Sequence, residues 1–261
     1  MSSKHLQKPP LVEALLEVKW KLQSAQPGVE PDPHYKFLLG RLFERLQNQY
    51  PEHEPLPASM FPEPLLVGTI QHRFRSAKGE WPLVQVGPGI LTINETEKYS
   101  WSDFQMNAQN VFSKLFEAHP KSAELKITSL VLRYINAIEF DYAEKNIIKF
   151  LTEQLRTSIS FPSNLFQVGS VTSNPSSLDC QTTFSSQNPA GVVIIRLATG
   201  HKNKVPALIW EIIFQTLQDD LPELPGSFAA WMTSAHQIIE DFFFKLISEE
   251  LERRFLYNEQ H

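Results

Sequence analysis

ELKITSLVLRYINAIEFD, residues Glu124 to Asp141, reads as one long β-strand. It is rich in Ile, Val, Leu, Tyr and Phe and holds no Gly or Pro, a composition that suits a pleated, half-buried surface. Leu130, Leu132, Tyr134, Ile138 and Phe140 fall on one face, and Ser129, Arg133, Ala137 and Glu139 on the other. Such alternation gives a strand a core face and a more polar face. The strand lies near the middle of the 261 residues, and two similar runs of elements meet at it.

Upstream, LVEALLEVKWKL (Leu11 to Leu22) also alternates: Val12, Ala14, Leu16, Val18 and Trp20 against Glu13, Glu17, Lys19 and Lys21. This predicts a strand of an antiparallel sheet with one face covered. Pro9-Pro10 marks its entry, and residues 1–8 read as a flexible tail. After a turn at 26–33, Asp32 is the expected N-cap and Pro33 the first residue of a helix running from His34 to about Gln49. Five prolines in residues 51–64 predict an irregular crossing. Strands are expected at Leu65–Arg75, Trp81–Val86 and Ile90–Asn94, the last two joined as a hairpin by Gly87-Pro88-Gly89. A helix capped by Ser100 or Ser102 then runs to about Ala118.

Downstream of the central strand the order recurs. A short helix is expected at Asn146–Arg156, strands at Phe166–Ser173, Leu178–Ser185, Gly191–Thr199 and Pro206–Thr216, and a last helix from Phe228 to about Phe255 capped by Ser227. Phe104, Ala108, Val111, Phe112 and Leu115 stand opposite Trp231, Ala235, Ile238, Ile239 and Phe242 at a constant difference of 127 residues (104 to 231, 115 to 242). The expectation is an α+β fold built from a duplicated β-α-β(3–4)-α unit, with curved antiparallel sheets and helices packed on one face. The halves divide as 9–122 and 123–256 and pack as one unit. The plan resembles TATA-binding-protein-like and helix-grip architectures, an analogy of fold that carries no function.

Hydrophobic residues make up 42% and charged residues 20%, which fits a globular chain and argues against general disorder. A formal net charge of −5 disfavours a dedicated nucleic-acid binder, whose footprint is usually basic. A single cysteine, Cys180, fits a reducing compartment. With no signal-peptide pattern and no run of membrane-spanning length, a cytoplasmic protein is expected.

Three stretches carry a family likeness: Pro9–Trp20 (PPLVEALLEVKW), Leu132–Ile138 (LRYINAI), and Ala235-His236 within a Phe-rich last helix. Together they resemble a sporadically distributed family of bacterial and archaeal proteins of about this length that has no assigned function. Where that family tends to an acidic run in the late strand, this chain has Trp210-Glu211-Ile212. The resemblance implies a prokaryotic antiviral defence or toxin–antitoxin context and supplies no catalytic residues.

The chemistry-bearing patterns are sparse. His236 and Glu240 stand one helical turn apart, but a lone pair lacks the further ligands of a zinc site, so neither metal nor cofactor is expected. No nucleophile-elbow, zinc-protease or phosphate-loop pattern occurs. One pattern stands out. The more polar strand face gathers Glu13 and Glu17, Arg73 and Arg75, and Arg133 and Glu139. An uncovered antiparallel face needs charge or a partner to avoid aggregation, and mixed signs favour a protein partner. Arg133 is expected to pair with Glu13 or Glu17, or to anchor that partner. The leading expectation is therefore a non-enzymatic protein-binding role, which leaves a homodimer open. The alternative is a small-ligand cavity lined by Trp210, Phe214, Trp231 and Phe242, between sheet and last helix. A hydrolase with an unrecognised site stands third.

Overall fold

The computed structural model describes residues 6–22, 34–61, 68–96, 98–167 and 169–256. Its elements run β1 (Leu11–Trp20), α1 (Tyr35–Leu46), β2 (Glu52–Pro55), β3 (His72–Arg75), β4 (Leu83–Gly87), β5 (Ile90–Glu95), α2 (Trp101–Ala118), β6 (Ile127–Glu139), α3 (Ile147–Gln154), β7 (Asp179–Gln187), β8 (Ala190–Lys202), β9 (Val205–Leu217), α4 (Phe228–Leu246) and α5 (Glu249–Leu256). The alternating stretches of the sequence become strands wherever one face can be buried.

The strands form one sheet in the order β2-β3-β4-β5-β1-β6-β9-β8-β7, with every described pair antiparallel. The stretch that opened the sequence reading is β6, and it pairs with β1 at the centre. Each half begins at that central pair, returns to it with its last strand, and closes with a long helix. The fold is α+β.

Register explains why the alternation matters. Phe74, Val84, Ile93, Leu16, Leu132, Phe214 and Val193 lie opposite one another across seven strands. All seven are buried. The same face receives Leu38 and Leu42 of α1, Phe104 and Phe112 of α2, Leu151 of α3, Ile239 of α4 and Leu251 of α5, in one hydrophobic cluster. A one-residue slip of any central strand would turn its apolar set to the other face. Gly87 has a packing reason as well, since a Cβ there would lie 1.9 Å from the Thr69 carbonyl oxygen.

Local chemistry sets the helix ends. Ser100 caps α2 by accepting from the Asp103 N–H at 3.2 Å, and Asn146 caps α3 through the Lys149 N–H at 2.9 Å. Ser227 makes no side-chain cap on α4, contrary to expectation. The last helix also divides. α4 ends at Leu246, and Ser248 starts α5 by accepting from the Leu251 N–H at 3.0 Å while its own N–H donates to the Gln154 carbonyl at 2.8 Å. That bond ties the break to α3.

Other expectations shift. The proline-rich crossing contains the short edge strand β2, and the described residues of 166–173 lie in no strand. Of the expected second strand, β3 covers His72–Arg75, and the described residues 68–71 precede it. The Asp32 cap, Pro33 and residues 65–67 of that strand lie outside the described residues. Part of the expected tail is held: Leu6 packs against the core, and the Lys8 N–H donates to the Phe255 carbonyl at 3.0 Å.

Candidate functional site

Two places gather polar side chains. The first is the sheet face opposite the five helices. There Arg133 stands across from Leu15 on β1 and Ile213 on β9, and it forms its ion pair with Glu211 rather than with Glu13 or Glu17. Glu211 also receives Arg196 at 3.1 Å, and Arg196 forks onto Asp179 with two bonds of 2.8 Å. The Glu211 side chain is 5% exposed and the Arg133 side chain 34%. Two guanidinium groups thus neutralise one buried carboxylate, the arrangement in which a buried charge is tolerated. The Arg196 guanidinium holds the Asp179 carboxyl below its usual range. The Arg133 Nε is buried without a hydrogen-bond partner.

The other expected residues fall into separate groups. Glu13 accepts a bond of 2.5 Å from Asn94, and Glu17 pairs with Lys19 along the same strand at 2.8 Å. Arg73 and Arg75 both reach Glu54 at 3.3 Å, and Arg73 also donates to Gln85 at 3.1 Å. Glu139 is exposed at the end of β6. The six residues therefore share a face without converging on one point.

The second place is a pocket of about 270 Å³ between β6 and α4. Four parts of the chain wall it: the segment Leu6 to Leu11, the start of α2 at Tyr99 to Trp101, Tyr134 and Asn136 of β6, and His236, Glu240, Phe243 and Phe244 of α4. The Ala137 N–H donates to the Pro10 carbonyl at 2.9 Å, which fixes the first wall to the central strand.

Inside it, Tyr134 links two partners. Its hydroxyl lies 2.5 Å from that of Tyr99 and 2.8 Å from Nδ1 of His236. The His236 ring stacks on Trp101, with centroids 3.7 Å apart and planes 9° from parallel. Burial brings the His236 pKa down to about 4, so the imidazole is neutral at pH 7. Burial also raises both tyrosine hydroxyls and the Glu240 carboxyl above their ordinary values. A neutral imidazole carries one N–H, so the Tyr99–Tyr134–His236 chain can run in either direction and offer a donor or an acceptor at its end. Ser100 lines the pocket too, but its hydroxyl donates to Asp103 at 2.6 Å as part of the α2 cap.

His236 is a stacked, hydrogen-bonded wall of this pocket. Among the described residues no group of three or more His, Cys, Asp or Glu could hold a metal ion. The cavity expected around Trp210, Phe214, Trp231 and Phe242 is not where the pocket lies. Trp210, Phe214 and Trp231 are core residues, with Trp231 donating to Thr216 at 2.9 Å and Trp210 stacked on Phe243. Phe242 is half-buried beside Phe184. Sequence reasoning placed a site between sheet and last helix but missed Tyr99, Trp101, Tyr134 and Asn136. The available signal was polar tips, Tyr134 and Asn136, on the core face of an apolar strand.

Parts of three widely separated stretches meet here: Pro9, Pro10 and Leu11, then Tyr134 and Asn136, then His236. No helix among the described residues is long and apolar enough to cross a membrane. No family model matches the sequence, and no curated protein matches it. Among solved structures the chain is similar to Methanococcus jannaschii TBP, at 12% identity over 91% of this chain and 99% of that one, with a TM-score of 0.23.

Proposed function

We propose that this chain is a non-enzymatic binding protein whose ligand site is the pocket between β6 and α4. One observation carries the reading: four segments far apart in sequence place a hydrogen-bonded Tyr99–Tyr134–His236 chain in one largely apolar concavity. Such sites combine apolar walls with a few fixed polar groups that orient the ligand. The halves repeat the same order of elements about β1 and β6, which supports an internal duplication with the pocket near their seam. Thermal-shift screening of a small-molecule library tests the reading. Compounds should raise the melting temperature of the native chain and not that of Leu11→Trp, which fills the pocket. A library with no compound that distinguishes the two proteins contradicts it.

A second reading rests on the opposite sheet face. Leu15, Ile135, Ile209 and Ile213 are half-exposed there beside the Arg133 guanidinium. That mixture suits a partner protein, with Arg133 as the anchor. The family likeness supports a partner encoded in a prokaryotic defence or toxin–antitoxin locus. The identity of the neighbouring genes checks the context. Loss of a partner complex in Arg133→Ala, with melting temperature retained, checks the surface.

A further inference from the structure

The pocket's walls are unequal in charge. Five aromatic side chains line it, at Tyr99, Trp101, Tyr134, Phe243 and Phe244. Among the described lining residues Glu240 is the one carboxylate, and there is no lysine or arginine. His236 adds no positive charge at neutral pH, being held neutral by burial. Aromatic faces carry negative quadrupoles that attract a cation, more strongly once it leaves water.

We propose that the pocket binds a small organic ammonium ion, its charge set among these rings and balanced by the Glu240 carboxylate. The inference rests on the reading of the pocket as a ligand site and names the ligand class. An anion would meet the Glu240 carboxylate in an apolar setting, which costs free energy. A neutral apolar guest would gain nothing from that carboxylate or from the ring quadrupoles. The volume of about 270 Å³ lies at the low end for ligand pockets, so the guest is a small amine or a quaternary ammonium ion.

The test is calorimetric titration at pH 7.5 with ammonium ions of increasing size, from methylammonium through tetramethylammonium and choline to benzyltrimethylammonium. Each is paired with a neutral isostere, such as 3,3-dimethylbutan-1-ol for choline. At least one cation should bind saturably, and its isostere about tenfold more weakly or less. Glu240→Gln, checked for an unchanged melting temperature, should lose about tenfold for the cation and little for the isostere. Should Glu240→Gln not fold, Trp101→Leu takes its place, with the same preferential loss expected. Isosteres that bind as well as the cations would overturn the ammonium assignment and leave the ligand-site reading standing. Binding by neither series would overturn both.

Discussion

The imidazole of His236 lies flat against the indole of Trp101, 3.7 Å between centroids and 9° from parallel. It joins α4 to the start of α2, the closing helices of the two halves. It also covers one face of the ring, as part of the burial that keeps the imidazole neutral.

Stability should therefore depend on pH through His236. Its folded pKa of about 4 lies below the ordinary value of 6.5, so the unfolded chain takes up a proton first as pH falls. The contribution is fully present above pH 6.5 and is lost progressively towards pH 4. Between pH 6.5 and 5.5 the loss is about 1 kcal/mol. Unfolding free energies of the native chain and His236→Gln across that window check this: the variant should show the shallower slope.

Tyr134→Phe should destabilise by about 1–3 kcal/mol, because it leaves the Tyr99 hydroxyl and His236 Nδ1 without their shared partner. Denaturant unfolding reads the change. An effect no larger than that of Tyr142→Phe, at a half-buried tyrosine edge-on to His201, would mean the linkage contributes nothing.

On the other sheet face, Glu211 and Asp179 should behave differently although both meet Arg196. Glu211→Gln removes the charge shared by two guanidinium groups at a buried position and should cost about 2 kcal/mol or more. Asp179 is exposed, and Asp179→Asn should leave the stability close to that of the native chain. A double-mutant cycle on Arg133 and Glu211 isolates the pair.

Thr216 accepts from the Trp231 indole N–H at 2.9 Å and donates to the Ala190 carbonyl at 2.9 Å. Thr216→Val keeps the shape and breaks both bonds, at a cost of about 1–3 kcal/mol. The melting temperature of Thr216→Val against that of the native chain checks whether this linkage holds α4 to the sheet.

The central strands were legible because burial of one face imposes a period of two, clear in Leu11–Trp20 and in Ile127–Glu139. The edge was not. β2 is Glu-His-Glu-Pro with every residue exposed; backbone pairing to β3, the Glu54 pairs with Arg73 and Arg75, and the His53–His72 contact hold it, and no apolar pattern announces it. The division of the last helix had a signal, Ser248 followed by Glu249 and Glu250, which reads as a cap and an acidic first turn. The broad apolar stripe running past it concealed that cap. The Arg133–Glu211 pair depends on the register of β6 on β9, where Glu211 faces Ile135 and Arg133 lies diagonally across. Alternation gives the face of each residue and leaves the register open. The pocket was not legible residue by residue: amphipathicity points to the space between sheet and last helix but to Trp210, Phe214, Trp231 and Phe242, while the meeting of Tyr99, Tyr134 and His236 follows only from the fold.

The most direct test of the ligand-site reading is backbone-amide NMR mapping of a small-fragment library on the full chain. The account predicts shifts clustered at residues 6–11, 99–101, 134–136 and 236–244, which close into one patch only in the folded protein. Shifts confined to β7, β8 and β9 on the helix-free face, with the residues around Tyr134 and His236 unmoved, would contradict it.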